Sequence, residues 1–203
     1  KLSAESARNA VIAHMEEDGP EHTVQPGMIY ISFSTELGTV YTLAELEALA
    51  AVGREYDIPL FIDGARMGYG LASEGCDVTI KDIARLADVF YIGGTKQGAL
   101  FGEAVVITND SLKKDFRYFI KQNGGMLAKG RLLGIQFLAL FEDGLYFSLS
   151  EHAVSLAHKL RAALKAKGYA FLVESPGNQQ FPILGNELVK ALSSEFGFSV
   201  WKK

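Results

Sequence analysis

"DVFYIGGTKQGALFGEAVVI", residues 88 to 107, decides how this chain is built. Two short β-branched and aromatic runs, 89 to 94 and 102 to 108, are joined by a connection too short for a helical crossover, so that pair can run antiparallel. Between them Lys96 stands among Gly93, Gly94 and Gly98. Inside a buried strand its ammonium would shed water without gaining a partner, which puts it at the rim of a sheet or in a cleft. Two readings follow: a solvated turn lysine, or a lysine held ready for a ligand.

Upstream, helical and strand patterns alternate. Val11, Ile12 and Met15 recur at helical spacing between Ser3 and Glu17, and Pro20 and Pro26 then break the pattern in a surface loop. "MIYISF" (28–33) and "PLFIDG" (59–64) read as buried strands, the second closing on Asp63. Thr42 and Glu45 have capping-box spacing and open a helix carrying Leu46, Leu49, Ala50 and Tyr56, until Pro59 forbids continuation. Residues 79 to 87 make a short helix. The repeated order of strand, helix and strand predicts an α/β domain whose largely parallel sheet is covered by helices on both faces.

Beyond residue 109 the pattern becomes helical. Helices are expected at 110–122, at 126–143 as a buried helix stopped by Gly144, and from Ser148, whose spacing to Glu151 suggests a capping box, to Gly168. "YAFLVE" (169–174) and "FSVWK" (198–202) read as strands, separated by a helix at 186–196. A domain change is expected here, with 1–145 in the sheet domain and 146–203 beginning a smaller α+β domain.

Composition narrows the functions. The 203 residues carry 24 acidic and 20 basic side chains, net charge −4, with no basic stripe for nucleic acid. The single Cys76 cannot form an internal disulfide, and no signal-like start or apolar run of spanning length is evident, so a soluble cytoplasmic protein without membrane attachment is expected. His14, His22, His152 and His158 lack metal-ligand spacing with one another or with Cys76. The glycines near Lys96 form neither a dinucleotide fingerprint nor a P-loop.

Ligands of open α/β sheets bind beyond the carboxyl ends of the strands, where Asp63 and Lys96 both fall. Gly64, Ala65 and Arg66 follow Asp63, so a guanidinium suited to a carboxylate or phosphate lies close to the carboxylate. An acid and a lysine so placed have a joint use with pyridoxal phosphate: the amine forms an imine with its aldehyde, and the carboxylate keeps the ring nitrogen protonated. A turn-capping Asp63 and a solvated Lys96 remain the alternative.

"PLFIDGARMGYGLA" followed by "DVFYIGGTKQGALFGEAVVI" resembles the threonine aldolase and β-eliminating lyase family of pyridoxal-phosphate enzymes, which have the aminotransferase-like architecture. The resemblance extends through "STELGTVYTLAELEAL" (34–49) and "MLAKGRLLGIQF" (126–137). It implies Lys96 as the imine-forming lysine and Asp63 as partner of the ring nitrogen. It further implies Arg66 at the substrate carboxylate or framing the cofactor, and Thr95 donating to the phosphate. The implied activity is cleavage of a threonine-like β-hydroxy-α-amino acid to glycine and an aldehyde, in a homo-oligomer. The alternatives are β-elimination on another amino acid and a non-catalytic homologue. Lys121, Lys129 and Arg131 read as solvated helix positions or as phosphate contacts across a subunit boundary.

Two departures bear on the substrate. Several threonine aldolases carry Asn-Thr-His where this chain has Ser34, Thr35 and Glu36, and they often read Ser-Lys-Gly where it has Thr95, Lys96 and Gln97. Glu36 is thus either a base for a substrate hydroxyl or a solvated turn residue, with the turn favoured. The resemblance also starts within the usual cofactor domain. The phosphate loop and the ring stacking on the cofactor would normally precede Lys1, a substrate-gripping arginine would follow Lys203, and the chain is expected to hold part of an active site.

Overall fold

The computed structural model describes residues 1–201. Helix α1 (Ala4–Met15) is capped by Ser3, whose hydroxyl accepts from the Ser6 N–H. Strand β1 (Ile29–Ser32) leads through a loop to α2 (Leu43–Glu55), where the expected box forms in full: the Thr42 hydroxyl accepts from Glu45 N–H, and Glu45 accepts from Thr42 N–H. Strand β2 (Leu60–Asp63) is followed by the short α3 (Met67–Leu71). A second capping box, Thr79 with Asp82, opens α4 (Ile80–Leu86). Strands β3 (Val89–Gly93) and β4 (Glu103–Ile107) complete the sheet.

The strand order is β1-β2-β3-β4, with the first two pairings parallel and β3–β4 antiparallel, as the short connection requires. Ile29, Ile31, Leu60, Ile62, Phe90 and Ile92 are buried on one face, in one core with α1, α2 and α4 through Val11, Leu46, Leu49 and Ile83. The other face carries Tyr30, Phe61, Tyr91 and Val105, with Tyr30 52% exposed and Val105 54%. The α/β class with a mostly parallel sheet is as expected. The described helices, however, bury one face and leave this aromatic stripe open.

The second half departs from expectation in four places. The helix expected at 110–122 is a 3-10 turn (Asp110–Leu112) and α5 (Phe116–Gln122), split where Asp115 takes a left-handed φ of 57°. The helix expected at 126–143 shortens to α6 (Arg131–Phe141), and it is not buried: of its side chains only Leu140 is, while Leu132, Ile135 and Leu138 face outward. It docks along one side through Phe137, Leu140 and Phe141, whose ring stacks on Tyr146 at 4.9 Å. A helix whose polar side chains are only Arg131 and Gln136 gives its periodicity no single face to prefer.

Third, α7 (Leu145–Ala166) begins before Ser148, whose hydroxyl donates to Leu145 C=O within the helix; Gly144, at φ 72°, is the residue that precedes it. Gly168, at φ 85°, ends that helix as expected. The expected boundary at 145/146 falls on the first turn of α7, and Tyr146 there is fully buried against the sheet unit.

Fourth, "YAFLVE" forms no strand. One antiparallel bridge joins Phe171 to Pro182, which has no backbone N–H with which to extend the pairing. The chain then forms α8 (Asn186–Leu192), shorter than expected, and residues 198–201 are not strand; the last position of the expected "FSVWK" strand lies outside the described residues. An 18-residue run within Arg131–Ala166 has the length and apolar composition of a membrane-crossing segment, where the sequence was expected to hold none. Asp143 interrupts it with φ 52°, and Tyr146, Ser150 and Val154 of α7 pack into the protein.

Candidate active site

Three loops leave the carboxyl ends of β1, β2 and β3 side by side, as an open parallel sheet demands. The first carries Ser34, Thr35 and Glu36, the second runs from Asp63, the last residue of β2, through Arg66, and the third carries Thr95, Lys96 and Gln97. Gly64 is required by crowding: a Cβ there would lie 1.8 Å from Tyr91 C=O.

Asp63 is held at both oxygens. Its Oδ1 accepts from Ala65 N–H at 2.9 Å and its Oδ2 from the Tyr30 hydroxyl at 2.5 Å. Burial works against the Asp63 charge, but donation from Tyr30 and Ala65, with the Tyr91 phenol and the Lys96 charge nearby, outweighs it and holds the carboxyl below its ordinary range. The reciprocal effect of that hydrogen bond pushes the Tyr30 phenol up to about 12. Burial first, and Asp63 second, raise the Tyr91 phenol as well.

The Lys96 side chain is exposed, while its backbone is pinned: the Tyr69 hydroxyl donates to Lys96 C=O. On β4, Glu103 accepts from Gly94 N–H through Oε2 and from the Thr95 hydroxyl through Oε1 at 3.1 Å. Thr95 is therefore committed to Glu103 in this structure. Gln97 is 2% exposed, and its amide is satisfied when its oxygen accepts from Gly68 N–H (2.7 Å) and its nitrogen donates to Gly93 C=O (2.9 Å). The departure from the usual glycine after the lysine thus ties the lysine loop to α3.

Arg66 Nη1 donates to Glu36 Oε1 at 3.2 Å, joining the first and second loops. Glu36 is mostly exposed, in keeping with a turn residue, but it is paired with the candidate substrate-binding guanidinium. Asp63, Lys96, Arg66, Glu36 and Thr95 all lie on the strand-end side. Sequence reasoning missed Tyr30, Tyr91, Tyr69, Gln97 and Glu103. The two strand tyrosines could have been found from the period of two, which sets Tyr30 and Asp63 on one face once the strands are in register.

A β-eliminating lyase family model matches residues 2–184. The chain belongs to the β-eliminating lyase family. Among members of known activity, it is 35% identical over 159 residues to a low-specificity L-threonine aldolase of a Pseudomonas species, covering 77% of this chain and 46% of that protein. It superposes on a solved threonine aldolase of Leishmania major with TM-score 0.92 and 46% identity, covering 97% of this chain and 56% of the other. The same fold recurs in Thermus thermophilus aspartate aminotransferase at TM-score 0.58 and 17% identity, over 86% of this chain and 46% of that one. The lyase-family chain thus spans about half the length of the relatives it matches.

Proposed function

We propose that the protein is a pyridoxal-phosphate-dependent carbon–carbon lyase that cleaves a threonine-like β-hydroxy-α-amino acid to glycine and an aldehyde. The observation that carries this reading is the pairing of an anionic Asp63 with an exposed Lys96 at the ends of adjacent parallel strands, in a chain 46% identical to a threonine aldolase.

The donor set fits the cofactor. Asp63 offers a carboxylate that stays charged and is braced from behind, as a protonated ring nitrogen requires, and Lys96 offers an amine on a pinned loop. When bound, the cofactor supplies an electron sink at the substrate α-carbon. Arg66 is the group proposed for the substrate carboxylate, and Glu36 the acid beside it. Thr95 would donate to the phosphate only by exchanging its bond to Glu103.

Two further parts of the reading concern setting. A homo-oligomer is proposed, with the outward Leu132, Ile135 and Leu138 of α6 as apolar surface for a second copy. A cytoplasmic location is proposed because the chain's one thiol, Cys76, is half-buried and has no second cysteine to pair with.

The test uses the full-length protein. It is loaded with pyridoxal phosphate, reduced with borohydride and mapped by mass spectrometry, then assayed with threonine for glycine and aldehyde. A reduced adduct on Lys96 with glycine release is expected. An unlabelled Lys96 overturns the cofactor assignment, and a keto acid in place of glycine overturns the reaction type.

A further inference from the structure

We propose that Tyr30 is a positioning residue for Asp63, donating to its carboxylate from the neighbouring strand, with Tyr91 supporting the same carboxylate from the other side. The register builds this arrangement. Ser32 pairs with Asp63 on β1–β2, which puts Tyr30 one diagonal step from Asp63 on the same face. Ile62 pairs with Phe90 on β2–β3, which brings Tyr91 alongside Asp63.

Phe61 holds both phenols in place. Tyr30 stacks on it with ring centroids 5.4 Å apart and planes within 10°, and Tyr91 meets its other side at 6.3 Å. The Tyr30 hydroxyl lies on the open face of the sheet and could have bonded water. Instead it donates to Asp63 Oδ2 at 2.5 Å while Ala65 N–H holds Oδ1, so the plane of the carboxylate is set from both ends.

The groups facing this carboxylate are Tyr30 from β1, Tyr91 and Lys96 from β3 and its loop, and the Ala65 backbone from its own turn. Glu36 and Glu103 act on the two phenols from farther away. Removing the Tyr30 donor, and with it the nearby Tyr91 phenol, leaves burial less opposed, so Asp63 takes up a proton at higher pH and aims less well. The consequence for cofactor binding rests on the function proposed above; the positioning of Asp63 does not.

The experiment uses Tyr30→Phe, Tyr91→Phe and the double variant of the full-length protein, since phenylalanine keeps the stack on Phe61. Carbon NMR on cofactor-free protein follows the Asp63 carboxyl, its signal identified by loss in Asp63→Asn. An Asp63 midpoint that rises in Tyr30→Phe and rises further in the double variant is expected. A roughly three- to tenfold weaker pyridoxal phosphate affinity, about the net worth of one ordinary hydrogen bond, is expected alongside because the lost bond acts on the cofactor only through Asp63. An unchanged Asp63 midpoint in the double variant overturns the proposal.

A second measurement covers the case in which the variants fail to fold. In protein with native tyrosines, the Tyr30 phenol, pushed up to about 12 by its bond to Asp63, should fall toward the ordinary value of about 10 in Asp63→Asn. No change there overturns the pairing. A wild type that binds no cofactor while Tyr30→Phe still raises Asp63 would sink the proposed function and support the positioning role.

Discussion

Glu103 on β4 accepts the Gly94 N–H at 2.5 Å, so the antiparallel strand fastens the loop that presents Lys96. The same carboxylate takes the Thr95 hydroxyl, and Tyr69 secures Lys96 C=O from α3. The lysine is thereby exposed at its side chain and fixed at its backbone, the arrangement a ligand-capturing side chain needs. Replacing Glu103 with alanine is expected to speed amide hydrogen exchange at Gly94 by roughly three- to tenfold, the worth of a partly exposed charge-assisted bond. Hydrogen-exchange mass spectrometry over the 93–99 peptide checks it, and unchanged exchange would show that β4 does not hold the loop.

Lys96→Ala removes the amine proposed to react without touching the core, because the side chain is exposed. Stability should shift by no more than about 0.5 kcal/mol, as for surface substitutions generally. The borohydride-trapped adduct should vanish. Calorimetry and peptide mapping read the two effects separately.

Gly68→Ala should be costly. Its Cβ would lie 2.3 Å from Ser150 Oγ and 2.8 Å from Tyr146 Cε1, where α3 meets α7, and 2.4 Å from the Gln97 amide. Overpacking of this kind costs about 1–3 kcal/mol. Denaturant unfolding gives the loss, and neutral behaviour would mean that α7 can move away freely.

Thr42→Ala removes one half of the α2 capping box. A loss of about 1 kcal/mol is expected, as at other N-caps. Chemical denaturation of the variant beside Thr79→Ala, the matching change at α4, tests whether the two boxes contribute alike.

Asp63 also makes stability depend on pH. Its carboxyl is held below its ordinary range in the fold, so its contribution is complete above the unfolded value of about 3.9 and disappears as pH falls through the depressed folded value. The difference in melting temperature between wild type and Asp63→Asn should therefore be widest above pH ~5 and close in acid. A difference independent of pH would mean that Asp63 gains nothing from its donors.

The apolar surface of α6 gives a prediction about assembly. Charged replacements at Ile135 and Leu138, both outward, should lower the sedimentation coefficient of the full-length protein if they lie between copies. An unchanged coefficient assigns that surface another role.

Much of this protein is written in local patterns. The four strands, the Thr42–Glu45 box, the antiparallel return at β4 and the Gly168 stop depend on neighbours within a few residues, where steric and hydrogen-bond preferences act directly. Asp63 and Lys96 were legible for the same reason: Asp63 closes β2 and Lys96 lies just past β3, and the family resemblance suggested the use proposed for them. The burial expected of α6 is confined to one side because Leu132, Ile135 and Leu138 are as apolar as Leu140, and composition alone does not say which side meets a neighbour. The strand expected at 169–174 failed because pairing needs a partner segment, and here the partner supplies a single bridge.

What contacts Asp63 belongs to tertiary structure alone. Tyr30 is 33 residues away, and its hydroxyl finds the carboxylate only because the parallel register sets Ser32 beside Asp63. A one-residue slip would turn Tyr30 to the opposite face. The Arg66–Glu36 pair and the buried Gln97 likewise join loops that chain order keeps apart. Residue type dictated which chemistry was present, whereas register and packing decided which groups could act on one another, because hydrogen bonds form only over distances that the folded chain sets.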